Sequence, residues 1–234
     1  MADYRALEEK LQQVLGGTRR PIAIAFVDSP PPGVAKFEGS EPSSCSFWRL
    51  AAAGRTFYTV PSDHQNCPVG GYTHNLLEPE RMPELEQTLN LMSDIGYIRM
   101  EEVGGVFHLD QSAKCVVYSP LGEAPVPPSV VIMSGQPAKI MLLTEAATRA
   151  GEMSNLPLLG RPTCMAIPAA VANGAAASAG CIGNRSSVWP FASSEASSSL
   201  IRSPPVTGVV LRQTAEARAS RLWLMSAVSP TATS

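Results

Sequence analysis

Pro21-Ile-Ala-Ile-Ala-Phe-Val27, with Asp28 directly behind it, is the stretch on which the fold turns. A short apolar run closed by a charge reads as a buried strand. Upstream, Tyr4, Leu7, Leu11, Val14 and Leu15 recur at helical spacing, with Glu8, Glu9, Lys10 and Gln12 on the other faces, and Gly16-Gly17 ends that helix. Downstream, residues 28–32 form a Pro-rich turn, and Cys45 opens a short helical stretch that Gly54 closes. Thr56-Phe-Tyr-Thr-Val60 reads as a second strand. Pro83 starts a helix that carries Leu85, Leu89 and Met92 on one face. Residues 103–109, 114–118 and 129–133 are predicted as strands, and a further helix is expected from Gln136 to Gly151. Strands interleaved with helices predict an α/β or α+β class, with a mixed sheet flanked by helices.

Bulk composition bounds the function. The chain has 234 residues, enough for a sizeable core. Charge is sparse at 16% and nearly balanced, with a net of −2. No basic stripe interleaved with aromatics appears, so nucleic acid is not expected as the main partner. Residues 1–10 read as a charged helix rather than a signal peptide, and no long apolar run suggests a membrane span. These features predict a cytoplasmic, reducing compartment. There the five cysteines would be thiols or metal ligands rather than disulfides.

Four of those cysteines fall in a pattern that occurs twice. Cys45 and an Ala-rich stretch to Gly54 precede His64-Gln-Asn-Cys67-Pro-Val-Gly70-Gly71. Cys164 and an Ala-rich stretch to Gly174 precede Gly180-Cys181-Ile-Gly183-Asn-Arg185. The recurrence suggests two related halves. Thiols in Gly-rich turns stand where backbone can approach a ligand or a metal.

These segments, together with Pro120-Leu-Gly-Glu123 and Gly160-Arg161-Pro-Thr-Cys164, resemble the domain of unknown function family numbered 169, a group of prokaryotic proteins. The resemblance covers roughly Leu7 to Arg185. It implies a fold unit over residues 1–185 and a cysteine pattern, and no mechanism. Members continue past the Gly-Cys-x-Gly-x-Arg turn with strands and a helix, and this chain departs from that. From Ser186 on there are 12 Ser, no Asp, no Lys and two Glu. Residues 186–234 are therefore expected to be a disordered tail, or the product of a frameshift just after Arg185.

Three functional readings stay open. In the first, Cys45, Cys67, Cys164 and Cys181 ligate zinc or an iron–sulfur cluster with a redox or sensory role, and His64 can replace one ligand. Gly70, Gly71, Gly180 and Gly183 then let the backbone close around the site, while Arg161 and Arg185 offset cluster charge or pair with an anionic ligand. In the second, Cys67 or Cys181 is the nucleophile of a thiol-dependent enzyme in a small-molecule pocket. In the third, the cysteines only pack, in a binding module without chemistry. Cys115 and Trp48 read as core, and His74 and His108 as ordinary. A small-molecule ligand or a redox partner is the expected companion.

Overall fold

The structure is a computed structural model, and it describes residues 3–16, 20–106, 108–135, 139, 142–143, 145–146, 149, 166–172, 177–180 and 207–212. Its centre is a six-stranded sheet in the order β2-β3-β1-β4-β6-β5. The strands are β1 (Ile22–Val27), β2 (Phe57–Thr59), β3 (Cys115–Pro120), β4 (Val130–Gly135), β5 (Ala177–Gly180) and β6 (Thr207–Arg212). The helices are α1 (Tyr4–Leu15), α2 (Ser44–Ala52), α3 (Pro68–Thr73), α4 (Met82–Asp94) and α5 (Ala166–Ala172). Lys139, Leu142, Leu143, Glu145, Ala146 and Arg149 are also helical, where the helix after Gln136 was expected.

β1 lies inside the sheet, with β3 on one side and β4 on the other. Both of its faces are covered, which is why its sequence is continuously apolar rather than alternating. Ile22 and Ile24 face one way, beside Val116, Tyr118, Val130 and Ile132, under Phe47 and Trp48 of α2 and Ile167 and Ala170 of α5. Ala23 faces the other way, with Leu121 and Met133, under Leu11 and Leu15 of α1. The aromatic centre of the first face is tight. Phe47 is fully buried, with ring centroids 5.5 Å from Tyr118 and 5.1 Å from Phe37. Removing such a ring costs about 3–5 kcal/mol.

Local chemistry sets the helix ends. The Asp3 carboxylate accepts from the Ala6 N–H at 3.0 Å and starts α1. Gly16, at φ +62°, turns the chain out of α1 in the left-handed region that favours glycine.

The α/β or α+β class holds, and antiparallel pairing settles the choice toward α+β. Every named pair of strands is antiparallel, and parallel geometry is confined, among the described residues, to the isolated bridge Lys36–Tyr58. One expected strand is absent. Met100–Gly105 forms a 3-10 turn where residues 103–109 were expected to extend. Gly104 and Gly105 bring no side chain to pack on a sheet, so the run folds as a turn. Six residues beyond Arg185 join the sheet as β6, beside β4. No helix among the described residues is long and apolar enough to cross a membrane.

Candidate functional site

α2 and α3 meet where β2 ends. Val60 leaves β2, and a 3-10 turn over Pro61–His64 brings His64 back beneath Phe47, with ring centroids 5.0 Å apart. Pro68 follows Cys67 and sets the first turn of α3, which needs no N–H there. Gly70 lets the two helices close. A Cβ on Gly70 would stand 2.8 Å from Ser44 Oγ and 3.0 Å from Cys67 Sγ, so no side chain fits without displacing both.

The hydrogen-bond order around His64 follows from donor counting. Thr59 Oγ1 lies 3.3 Å from the Val116 carbonyl, which only accepts, so the single hydroxyl proton goes there. His64 Nε2 therefore donates to Thr59 Oγ1 across 2.8 Å. His64 Nδ1 then accepts from Ser44 Oγ at 3.1 Å. The ring is 1% exposed, and burial chiefly holds its pKa down at about 3, helped by the neighbouring His74. His64 is thus a neutral side chain with both nitrogens in use.

Cys67 is half-buried, and burial pushes its thiol up. The backbone N–H groups of Ser44 and Gly70 pull the other way, favouring thiolate, but burial outweighs them. No cation is among the groups that set this thiol. Cys45, on the first turn of α2, acts on Tyr118, whose phenol burial drives well above its ordinary value. Ser44 thus links the two thiols of the first cysteine turn. It neighbours Cys45 in sequence, and its side chain stands beside Gly70 and His64.

His74 closes α3. Its Nδ1 lies 2.7 Å from the Gly70 carbonyl, so Nδ1 carries the proton and Nε2 is a bare lone pair. That Nε2 is buried and has no hydrogen-bond partner among the described residues. Burial holds the pKa of His74 down at about 4. Ser44, Thr59 and His74 were not singled out from sequence. For His74 a signal existed: it follows Cys67 by seven residues, two helical turns along the same short helix.

The structure sets Cys67 and Ser44 beside Gly70, the His64 carbonyl beside Gly71, and Ser44, next to Cys45 in sequence, against His64 Nδ1. It does not bring Gly180 to them. Gly180 pairs with Gly208, which pairs with Ser134, whereas Thr59 pairs with Val116 and so with Phe26. Five strand spacings across and six residues along put Gly180 roughly 30 Å from Thr59. Strand pairing through β6 is the cause: it carries β5 to the edge opposite β2. Cys164, Cys181, Gly183, Arg161 and Arg185 lie outside the described residues. Among the described residues no three His, Cys, Asp or Glu side chains stand together in metal-binding geometry.

Two further expectations meet the described core. Cys115 and Trp48 are buried, at 3% and 4% exposure. The Trp48 indole N–H has no partner among the described residues.

The family model of DUF169, described as Uncharacterised ArCR, matches residues 10–191. No curated protein and no solved structure matches the chain.

Proposed function

The chain belongs to the domain of unknown function family 169, and from that premise we propose that it is a cysteine-ligated metal or iron–sulfur protein of the cytoplasm, with a redox or sensory role, whose first ligands are Cys67 and Cys45. The observation that carries this reading is the uncompensated environment of Cys67. Two backbone N–H groups favour a negative sulfur, yet burial makes that charge costly and no cation offsets it. A bound metal ion supplies the missing positive charge and takes the place of the thiol proton. Cys67 and Cys45 suit zinc or iron by donor type. His64 holds Ser44 in place rather than ligating, because both its nitrogens have partners. The remaining ligands come from residues outside this cluster, with Cys164 the first to try, because Gly180 stands at the far edge of the sheet.

A thiol-dependent enzyme using Cys67 is less well supported. A nucleophilic cysteine needs a depressed pKa, commonly from an imidazolium. Here the thiol is raised, and both nearby histidines are neutral above pH of about 4.

The deciding experiment is anaerobic purification with an absorption spectrum and elemental analysis on the same sample. Iron with sulfide, or zinc at about one per chain, is expected. A folded protein free of metal, which takes up neither iron nor zinc on reconstitution, would overturn the proposal.

A further inference from the structure

We infer that His64 is a positioning residue for Cys67: through Ser44 it ties one of the two backbone N–H groups on the Cys67 sulfur to the sheet. The inference rests on the metal-binding reading for the use of that sulfur. The relay itself is a property of the thiol and is tested without metal.

The first ground is a chain of hydrogen bonds that runs from β3 to Ser44. The Val116 carbonyl takes the Thr59 hydroxyl proton at 3.3 Å, Thr59 Oγ1 accepts from His64 Nε2 at 2.8 Å, and His64 Nδ1 accepts from Ser44 Oγ at 3.1 Å. Thr59, His64 and Ser44 are each 1% exposed or less, so water does not compete for these partners. The His64 ring is also held by Phe47, with centroids 5.0 Å apart.

The second ground is where the chain ends. The Ser44 N–H acts on the Cys67 sulfur, as does the Gly70 N–H. Ser44 is the first residue of α2, so its N–H has no partner inside the helix and is available to the sulfur. The Ser44 hydroxyl and the Cys67 sulfur also flank one point above Gly70, at 2.8 and 3.0 Å from where its Cβ would stand. The N-cap, Ser43, gives α2 no side-chain cap, and the Ser44 hydroxyl on His64 anchors this end instead.

The third ground is charge. An N–H favours a thiolate only while it points at the sulfur. A relay that keeps the Ser44 N–H in place lowers the cost of deprotonating Cys67, a step every thiolate ligand requires. His74 is the titratable group that acts on His64, and both imidazoles are neutral above pH of about 4. The relay therefore keeps one protonation pattern from there into the alkaline range where the thiol titrates.

The test is the pH profile of Cys67 alkylation by iodoacetamide in the metal-free, full-length protein, read by peptide mass spectrometry with Cys45 as internal control. The midpoint of the profile reports the thiol, and its plateau reports access. Wild type is compared with Ser44→Ala, His64→Leu and His64→Asn. The first two break the chain on either side of the Ser44–His64 bond. Asparagine carries its side-chain oxygen where Nδ1 stands and still accepts from Ser44. Ser44→Ala and His64→Leu should move the Cys67 midpoint up, so that alkylation at neutral pH slows about tenfold at an unchanged plateau. His64→Asn should keep the wild-type midpoint. A purely structural role gives the opposite sign: a loosened α2 admits water, moves the midpoint down and raises the plateau, at Cys45 as well. That outcome, an unchanged midpoint, or an asparagine variant that shifts as far as leucine overturns the inference. Metal content of wild type is a separate readout: a metal-free result sinks the metal-binding reading, and the midpoints still decide the relay. Should His64→Leu fail to fold, Ser44→Ala decides.

Discussion

On the α1 face of the sheet, Glu8 is 5% exposed, and its carboxylate takes hydrogen bonds from Arg20 Nε and from the Gly122 N–H. Arg20 Nη1 reaches Glu123 at 2.7 Å, so each charge of this cluster faces an opposite one. On the α2 face, Cys67, His64 and His74 are packed as closely, yet carry no compensated charge. The histidines are neutral, the thiol is raised, and one lone pair has no partner among the described residues. The first cluster is complete as it stands and works as a clamp between α1 and the turn after β3. The second keeps one nitrogen without a partner among the described residues. Compensation therefore separates two equally buried polar clusters, a distinction burial alone does not make.

The contrast breaks if the α2 cluster proves self-sufficient. Cys67→Ser should bring metal content down to background in anaerobic preparations, since a serine hydroxyl is a poor substitute for a soft thiolate. Retained metal would shift the ligand set away from the first cysteine turn. Cys181→Ser sharpens the same point. Loss of metal would mean the second turn reaches this site despite the sheet register, and full retention would mean it does not.

Next in size is the clamp. Glu8→Ala leaves Arg20 and the Gly122 N–H without their acceptor, and stability should fall by about 3 kcal/mol in urea unfolding. Metal content per folded molecule should stay unchanged. A fall in both would make the two faces one coupled unit.

Gly70→Ala tests the close approach of α2 and α3. Its Cβ meets Ser44 Oγ and Cys67 Sγ, both side-chain ends that yield, so the cost should be about 2 kcal/mol in the metal-free protein. Metal binding should weaken as well, because the sulfur is displaced.

The last test is pH, whose effect is small near neutrality and grows as acid is added. Burial holds the pKa of His64 down at about 3 in the fold, against 6.5 for an unperturbed imidazole. The unfolded chain therefore takes up a proton that the fold refuses. Stability from this residue is whole above pH 6.5 and declines as pH falls toward 3, by up to about 1.4 kcal/mol per unit. His64→Gln should flatten that slope in denaturation curves of the metal-free protein, whereas Glu8→Ala should not change its histidine part.

Much of this was legible beforehand, for physical reasons. α1, β1, β3, β4 and α4 announce themselves through local periodicity and end signals, such as Gly16 after Leu15 and Pro83 at a helix start. The run at residues 103–109 misled because valine and phenylalanine favour strands, while the adjacent Gly104-Gly105 decided otherwise. Cys45, Cys67, His64, Gly70 and Gly71 stood out in sequence because unusual residues cluster in a short stretch. The partners that define their chemistry did not. Ser44, Thr59 and the Val116 carbonyl are common groups whose importance depends on distance alone.

By itself, then, the amino-acid order determined the elements, the buried central strand and the first cysteine turn, because each depends on neighbours a few residues apart. The tertiary structure alone decided that the sheet is antiparallel and covered on both faces, that His74 rather than His64 keeps a lone pair, and that Gly180 stands at the far edge from Gly70. Those facts depend on strand pairing and donor counting between residues up to about a hundred apart in the chain, and such pairings leave no periodic trace in sequence.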